Sequence, residues 1–248
     1  MDKVLLVTGG GRGIGAATAR QAAQAGWAVA VNYAANALAA DEVVRAIRAA
    51  GGRALAVQGD VADEAQVLRM FETVDAKLGR LTGLVNNAGV VDVTARLDEM
   101  SVARWRRMFD INVIGSMLCA REAVRRMSTR HGGSGGAIVN LSSAASRLGS
   151  PGQYVDYAAA KGAIDAFTIG LAKEVAIEGI RVNAVRPGLI ETEIHASGGL
   201  PDRVRDLSHQ VPMQRGGTAD EVAQAIVWLL SDAASYTTMS LLDVSGGR

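Results

Sequence analysis

Short, almost continuously apolar runs alternate along the chain with stretches in which apolar residues recur every three or four positions. Val4-Leu5-Leu6-Val7 and Trp27-Ala28-Val29-Ala30-Val31 are apolar throughout, the pattern of strands covered on both faces. The periodicity predicts strands over 3–8, 28–32, 53–58, 82–86, 136–142, 180–186 and 239–244, with helices beginning near Gly13, Leu38, Asp63, Ser101, Tyr157 and Thr218. Parallel strands need crossovers, so the alternation predicts an α/β chain: one doubly wound parallel sheet of about seven strands with helices on both faces. The one low-complexity piece, His131-Gly132-Gly133-Ser134-Gly135-Gly136, is too short to separate domains, and no internal repeat is present, so 1–248 is expected to form a single domain.

Composition narrows the function classes. With 248 residues and 49% apolar content, the chain can bury a large core, and a mean hydropathy of +0.15 excludes a disordered chain. A formal charge of +1 supplies no basic field for nucleic acid. No 18-residue apolar stretch and no signal peptide is visible, so a cytoplasmic protein without membrane contact is expected. The single cysteine, Cys119, lies in an apolar run and reads as packing. His131, His195 and His209 lack ligand spacing, so no metal is expected.

Two stretches carry chemistry. The first is Thr8-Gly9-Gly10-Gly11-Arg12-Gly13-Ile14-Gly15, set between a strand and an Ala-rich helix. Glycines let the backbone approach a pyrophosphate, and the free N–H groups of a helix start attract its charge. The second is Tyr157-Ala158-Ala159-Ala160-Lys161, preceded by Asn140-Leu141-Ser142-Ser143. Residues four apart share a helical face, and an ammonium held near a phenol favours the phenolate, making Tyr157 a usable acid/base. With four Tyr and four Lys in the chain, chance placement gives only about 0.06 such pairs.

These stretches, with Asn86-Asn87-Ala88-Gly89, Asn112 and Pro187-Gly188 in that order, closely resemble the short-chain dehydrogenase/reductase family over essentially the whole chain. The resemblance extends to NADP-preferring members such as 3-oxoacyl-(acyl carrier protein) reductases and glucose dehydrogenase-like enzymes. It implies a Rossmann fold and hydride transfer between a nicotinamide cofactor and a small carbonyl or secondary alcohol. By that resemblance Gly9, Gly13, Ile14 and Gly15 cradle the cofactor, Asp60 and Val61 hold the adenine, and Asn87, Ala88 and Gly89 line the ribose. Pro187 and Gly188 would then open a cofactor-binding stretch that puts Ile190 against the carboxamide and Thr192 on a cofactor phosphate. Tyr157 protonates the alkoxide, Ser143 hydrogen-bonds the same oxygen, Lys161 holds the nicotinamide ribose and keeps Tyr157 acidic, and Asn112 binds a relay water. A residue that bends its helix or satisfies a backbone group is the plainer reading of Asn112.

Cofactor choice turns on the end of the second strand, where an acid would bind the 2′-hydroxyl of NAD and repel the 2′-phosphate of NADP. The segment Asn32-Tyr33-Ala34-Ala35-Asn36 has no acid, and Arg12 can pair with a phosphate, so NADP(H) is expected over NAD(H). Ala34 stands where a second basic residue is common. Spacing leaves Ser142 and Ser143 in competition; Ser143 is preferred because it closes the strand end, with one residue inserted in Arg147–Gly152. Tyr154 reads as substrate lining. The polar stretch 193–212, which includes His195, resembles the family's substrate lid.

Two further functions compete: a 3-oxoacyl-(acyl carrier protein) reductase, which Glu178 opposes because a basic residue there would meet an acidic carrier protein, and a catalytically silent NADP(H)-sensing protein, which the filled catalytic positions oppose. Helices beginning near Ser101 and Tyr157 are apolar beyond one stripe, and the chain ends in an apolar then glycine-rich segment. A homotetramer is therefore expected, with Met239 departing from the glycine that relatives carry in the preceding turn.

Overall fold

The computed structural model describes residues 3–193 and 198–248. In chain order the sheet and its flanking helices are β1 (Val4–Val7), α1 (Gly13–Gln24), β2 (Ala28–Tyr33), α2 (Ala37–Ala49), β3 (Ala54–Gln58), α3 (Glu64–Leu78) and β4 (Gly83–Asn86). There follow α4 (Val102–Phe109), α5 (Gly115–Met127), β5 (Gly136–Leu141), α6 (Ala145–Leu148), α7 (Val155–Val175) and β6 (Ile180–Pro187). The remainder is β7 (Ile190–Glu191), α8 (Arg203–Leu207), β8 (Gly217–Thr218), α9 (Ala219–Leu230) and β9 (Leu241–Val244). Seven strands pair in parallel in the order β3-β2-β1-β4-β5-β6-β9, as expected for a doubly wound Rossmann fold.

The apolar continuity of the strands is explained by the two layers they supply. In β1, Leu5 and Val7 pack with Ala16, Val43, Ile47, Val222 and Ile226 on the face covered by α1, α2 and α9. Val4 and Leu6, one residue out of phase, pack with Val67, Phe71, Cys119 and Val175 on the face covered by α3, α5 and α7. Cys119 is fully buried there, and burial pushes its thiol up to about 12, so it serves packing.

Three local features depart from the sequence expectations. The helix predicted from Ser101 is interrupted by a π-helical turn over Asp110–Ile114, centred on Asn112. β7 and β8 pair in a separate two-stranded sheet, which no period-two pattern announced. The last strand begins at Leu241 and not at 239, because Met239 takes a left-handed φ of 64° while its N–H donates to the Val182 carbonyl at 2.7 Å. The turn thus keeps the shape a glycine would give it, at a cost of roughly 1 kcal/mol.

Candidate active site

The carboxyl ends of β1, β4, β5 and β6 open into a cleft of about 650 Å³, and the expected chemistry converges there: Ile14, Asn87, Gly89, Ser143, Tyr157, Lys161, Pro187, Gly188, Ile190 and Thr192 all line it. The glycine turn is held by side chains from neighbouring strands. The Gly9 N–H donates to Asn32 Oδ1 at 3.1 Å and the Gly10 N–H to the Asn32 carbonyl at 2.8 Å, while Asn32 Nδ2 donates to the Gly59 carbonyl at 2.9 Å. Asn32, in the segment on which cofactor choice was expected to turn, is buried with its amide spent on backbone; it shapes the turn, and the half-buried Tyr33 follows it at the strand end.

Asn87 and Thr8 fasten the turn to β4. Asn87 Nδ2 donates to the carbonyls of Thr8 and Gly9 at 2.9 and 3.0 Å, and the N–H groups of Asn87 and Ala88 donate to the Thr8 hydroxyl at 2.9 and 3.0 Å. A methyl group on Gly15 would lie 2.5 Å from both Asn87 Nδ2 and the Gly9 carbonyl, so only glycine fits. No side chain caps α1, whose N-cap is Arg12 in an extended conformation with its guanidinium exposed. Thr192 stands against this helix start: a methyl on Gly13 would come within 3.3 Å of Thr192 Cγ2. An uncapped helix start cradled by glycines and a threonine suits a pyrophosphate.

At the far side Asp60 accepts from the Ala62 N–H at 3.0 Å, and Val61 is buried against Gly115. Neither lines the cleft directly, and Gly9, Arg12, Gly13, Gly15 and Ala88 frame it from outside its wall.

The strand end of β5 separates the two serines that spacing left undecided. Ser142 is buried and donates to the Lys161 carbonyl at 3.1 Å, so it braces α7. Ser143 faces Tyr157, and its hydrogen bond works to lower the pKa of that phenol. Desolvation nevertheless prevails: burial pushes Tyr157 up to about 12, and the Tyr154 ring, edge-on at 6.2 Å between centroids, adds to the rise. Burial also draws Lys161 down to about 8, its ammonium donating to the Leu141 carbonyl at 2.7 Å and lying 5.6 Å from the centre of the Tyr157 ring. Lys161 is not among the groups that bear on Tyr157, whose rise is set first by burial.

Asn112 touches the cleft only through Gly89. Its amide donates to the carbonyls of Met108 and Val90 and its Oδ1 accepts from the Val90 N–H at 3.2 Å. A methyl on Gly89 would lie 2.7 Å from that Oδ1, which is why the residue after Ala88 has no side chain. These bonds match the plainer reading of Asn112 as a residue that satisfies backbone groups where the helix bends.

Three functional neighbours escaped sequence reasoning. Thr8 was visible in the turn but not as its clip. Asp156 precedes Tyr157 and forms a bidentate ion pair with Arg104, at 2.7 and 3.2 Å, that no local spacing could announce across 52 positions. Arg203, on α8, lines the cleft beside Tyr154. His195 lies outside the described residues.

A family model described as enoyl-(acyl carrier protein) reductase matches residues 9–248. The chain is 58% identical to an uncharacterized oxidoreductase of Escherichia coli, over 99% of both chains. It is 44% identical to a cis-4-hydroxycyclohexanecarboxylate dehydrogenase of Sinomonas cyclohexanicum, over 99% of this chain and 96% of that one. A 3-oxoacyl-(acyl carrier protein) reductase of Synechocystis shares 40% identity over 99% of this chain and 96% of its own. A doubly substituted short-chain dehydrogenase/reductase of Serratia marcescens superposes with a TM-score of 0.89 at 34% identity, covering 99% of this chain and 97% of the other. Strand order, glycine turn and the serine, tyrosine and lysine around one cleft agree with these likenesses: the chain belongs to the short-chain dehydrogenase/reductase family, oxidoreductases that act on CH–OH or carbonyl groups.

Proposed function

We propose that this oxidoreductase reduces a small carbonyl compound, or oxidises the corresponding secondary alcohol, with NADP(H) and through Ser143, Tyr157 and Lys161. The observation that carries the reading is the meeting of these three side chains on one cleft wall, next to an uncapped helix start. When bound, a nicotinamide cofactor supplies or accepts the hydride. Tyr157, buried and protonated, donates its proton to the developing alkoxide oxygen. Ser143 donates a hydrogen bond to the same oxygen and holds it on the tyrosine. Lys161, fixed by Leu141, presents its ammonium to the nicotinamide ribose and stabilises the phenolate that remains. Asn112, its side chain committed, offers only its backbone carbonyl to a relay water, and that carbonyl already accepts from Ser116.

Preference for NADP(H) is supported by the absence of an acid around Tyr33 and by the exposed Arg12 guanidinium, which pairs with no carboxylate among the described residues. Of the stretch 193–212 expected to form the substrate lid, residues 194–197 lie outside the described residues, and Arg203, Gln210 and Pro212 line the cleft. A carrier-protein substrate is disfavoured because Glu178, bonded by Ser128 and 4.0 Å from Arg130, stands where a basic residue would meet an acidic partner. Small residues on the outer side of α7, where a methyl on Gly162 or Gly170 would meet nothing within 4 Å, support assembly into a homotetramer.

The test is NADPH oxidation against a panel of ketones, with NADH in parallel. Tyr157→Phe should lower kcat by at least ~10²-fold. Parent-like activity in this variant would remove Tyr157 from the mechanism, and equal affinity for the two cofactors would remove the NADP assignment. Binding of NADPH with no turnover anywhere in the panel would favour the sensor.

A further inference from the structure

The walls of the cleft carry three cations, Lys161, Arg203 and Arg248, and no aspartate or glutamate. The chain as a whole balances 26 basic against 25 acidic residues, so this is a local concentration of charge and not a property of the surface. Lys161 belongs to the catalytic group. Arg203 does not.

Most arginines with little exposure in this fold are neutralised by carboxylates: Arg104 by Asp156, Arg126 by Asp75 and Glu122, Arg186 by Asp165. Arg181 instead spends its donors on three carbonyls at 2.7 to 3.3 Å. Arg203 has neither arrangement. It is half-buried, donates once, to Gln153 Oε1 at 2.7 Å, and lies 5.1 Å from the centre of the Tyr154 ring, with no carboxylate within 4.0 Å among the described residues. Burial works against the charge of Arg203, Tyr154 favours it, and the like charge of Arg248 works against it, so the folded chain carries these two guanidinium groups at an energetic cost. An anion between them would offset that cost, and the unspent fork of Arg203 matches a carboxylate in a bidentate pair.

We propose that Arg203 is a specificity residue and that the substrate is an oxo or hydroxy acid whose carboxylate docks on it. The inference rests on the carbonyl-reduction reading above for the position of the reacting oxygen. Arg203 lies 5.1 Å from the centre of the Tyr154 ring, and that ring centre lies a further 6.2 Å from the centre of the Tyr157 ring. The two functions of the substrate are accordingly separated by a chain or ring of several carbons. A 2-oxo acid would be too short to engage Arg203 and Tyr157 together.

The experiment compares 4-oxopentanoate with its methyl ester, and with pyruvate as the short acid. Binding to the enzyme saturated with NADP⁺ is followed by calorimetry, which needs no turnover, and kcat/KM is measured with NADPH. The parent should favour 4-oxopentanoate over the ester and over pyruvate by roughly 10- to 100-fold, the scale of one charged hydrogen-bonded contact. Arg203→Gln should bring the acid-to-ester ratio close to one, and Arg203→Lys should keep part of it. Equal binding of acid and ester by the parent overturns the proposal, as does a Gln variant in which NADP⁺ affinity falls and the ratio stays. If the Gln variant does not fold, the parent's acid-to-ester ratio and the Lys variant still decide. Selective binding of the acid without reduction of any ketone would keep the carboxylate site and discard the redox reading.

Discussion

At the scale of single residues, dryness decides the protonation of the site. Tyr157 and Lys161 are four apart on one helix face, yet each is driven toward its neutral form by burial, Tyr157 up to about 12 and Lys161 down to about 8. For Lys161 the sign follows from its ordinary value of 10.5: the unfolded chain takes up the proton first as pH falls, so stability drops between 10.5 and about 8 and stays reduced below. At pH 7 the buried ammonium is therefore a net burden, offset in part by its bond to Leu141. Lys161→Met is expected to abolish turnover while raising stability at pH 7 by about 1 kcal/mol, or roughly 2–4 °C in Tm for a chain of this size. A melting scan that shows the variant less stable than the parent at pH 7 would mean that Lys161 stabilises the fold as a cation. The Y-x-x-x-K spacing was legible in the sequence. The direction of the Tyr157 shift was not, because desolvation is a property of what packs around the helix.

Elements act through the joints between them. The start of α7, which presents Tyr157, is pinned by Asp156, whose Oδ1 also accepts the Tyr157 N–H at 3.0 Å. Arg104 of α4 grips that carboxylate with two donors and spends a third on the Val93 carbonyl at 2.6 Å, joining three segments at a point where both side chains are nearly dry. Arg104→Ala leaves the Asp156 charge buried and unpaired, and a loss of about 3 kcal/mol is expected in urea denaturation. Loss of less than about 0.5 kcal/mol would show the pair to be solvated. The sequence pattern placed α4 and α7 near their observed starts. It could not pair positions 104 and 156, nor see that a helix written continuously from Ser101 opens at Asn112, because both depend on groups brought in from the β4 loop. The choice between Ser142 and Ser143 has the same origin: two adjacent hydroxyls point to opposite sides of a strand end, and only the position of α7 shows which one meets the cleft.

For the whole molecule, the outer helices leave apolar side chains uncovered. Phe109, Ile114 and Met117, at the junction of α4 and α5, are 37%, 46% and 43% exposed, more apolar surface than a lone helix pair usually leaves to water. The homotetramer proposed above buries such faces in closed twofold interfaces. Light scattering at micromolar concentration is expected to give four times 25.8 kDa, and Ile114→Asp to shift the mass downward. A mass of 25.8 kDa for the parent would refute assembly, and twice that would leave one interface standing.

What the sequence by itself determined is what depends on local period and local backbone chemistry. Continuous apolar runs had to be strands buried on both faces, the glycines between Thr8 and Gly15 had to let the backbone turn tightly, and Tyr157 and Lys161 had to share a face. Tertiary structure decided the rest, since it depends on neighbours distant in the chain: the two-sided clip of Thr8 and Asn87, the dryness that sets the acidity of Tyr157, the ion pair at Asp156, and the concentration of positive charge around Arg203. Periodicity is written into consecutive residues, whereas desolvation and charge balance are sums over whatever the fold brings together.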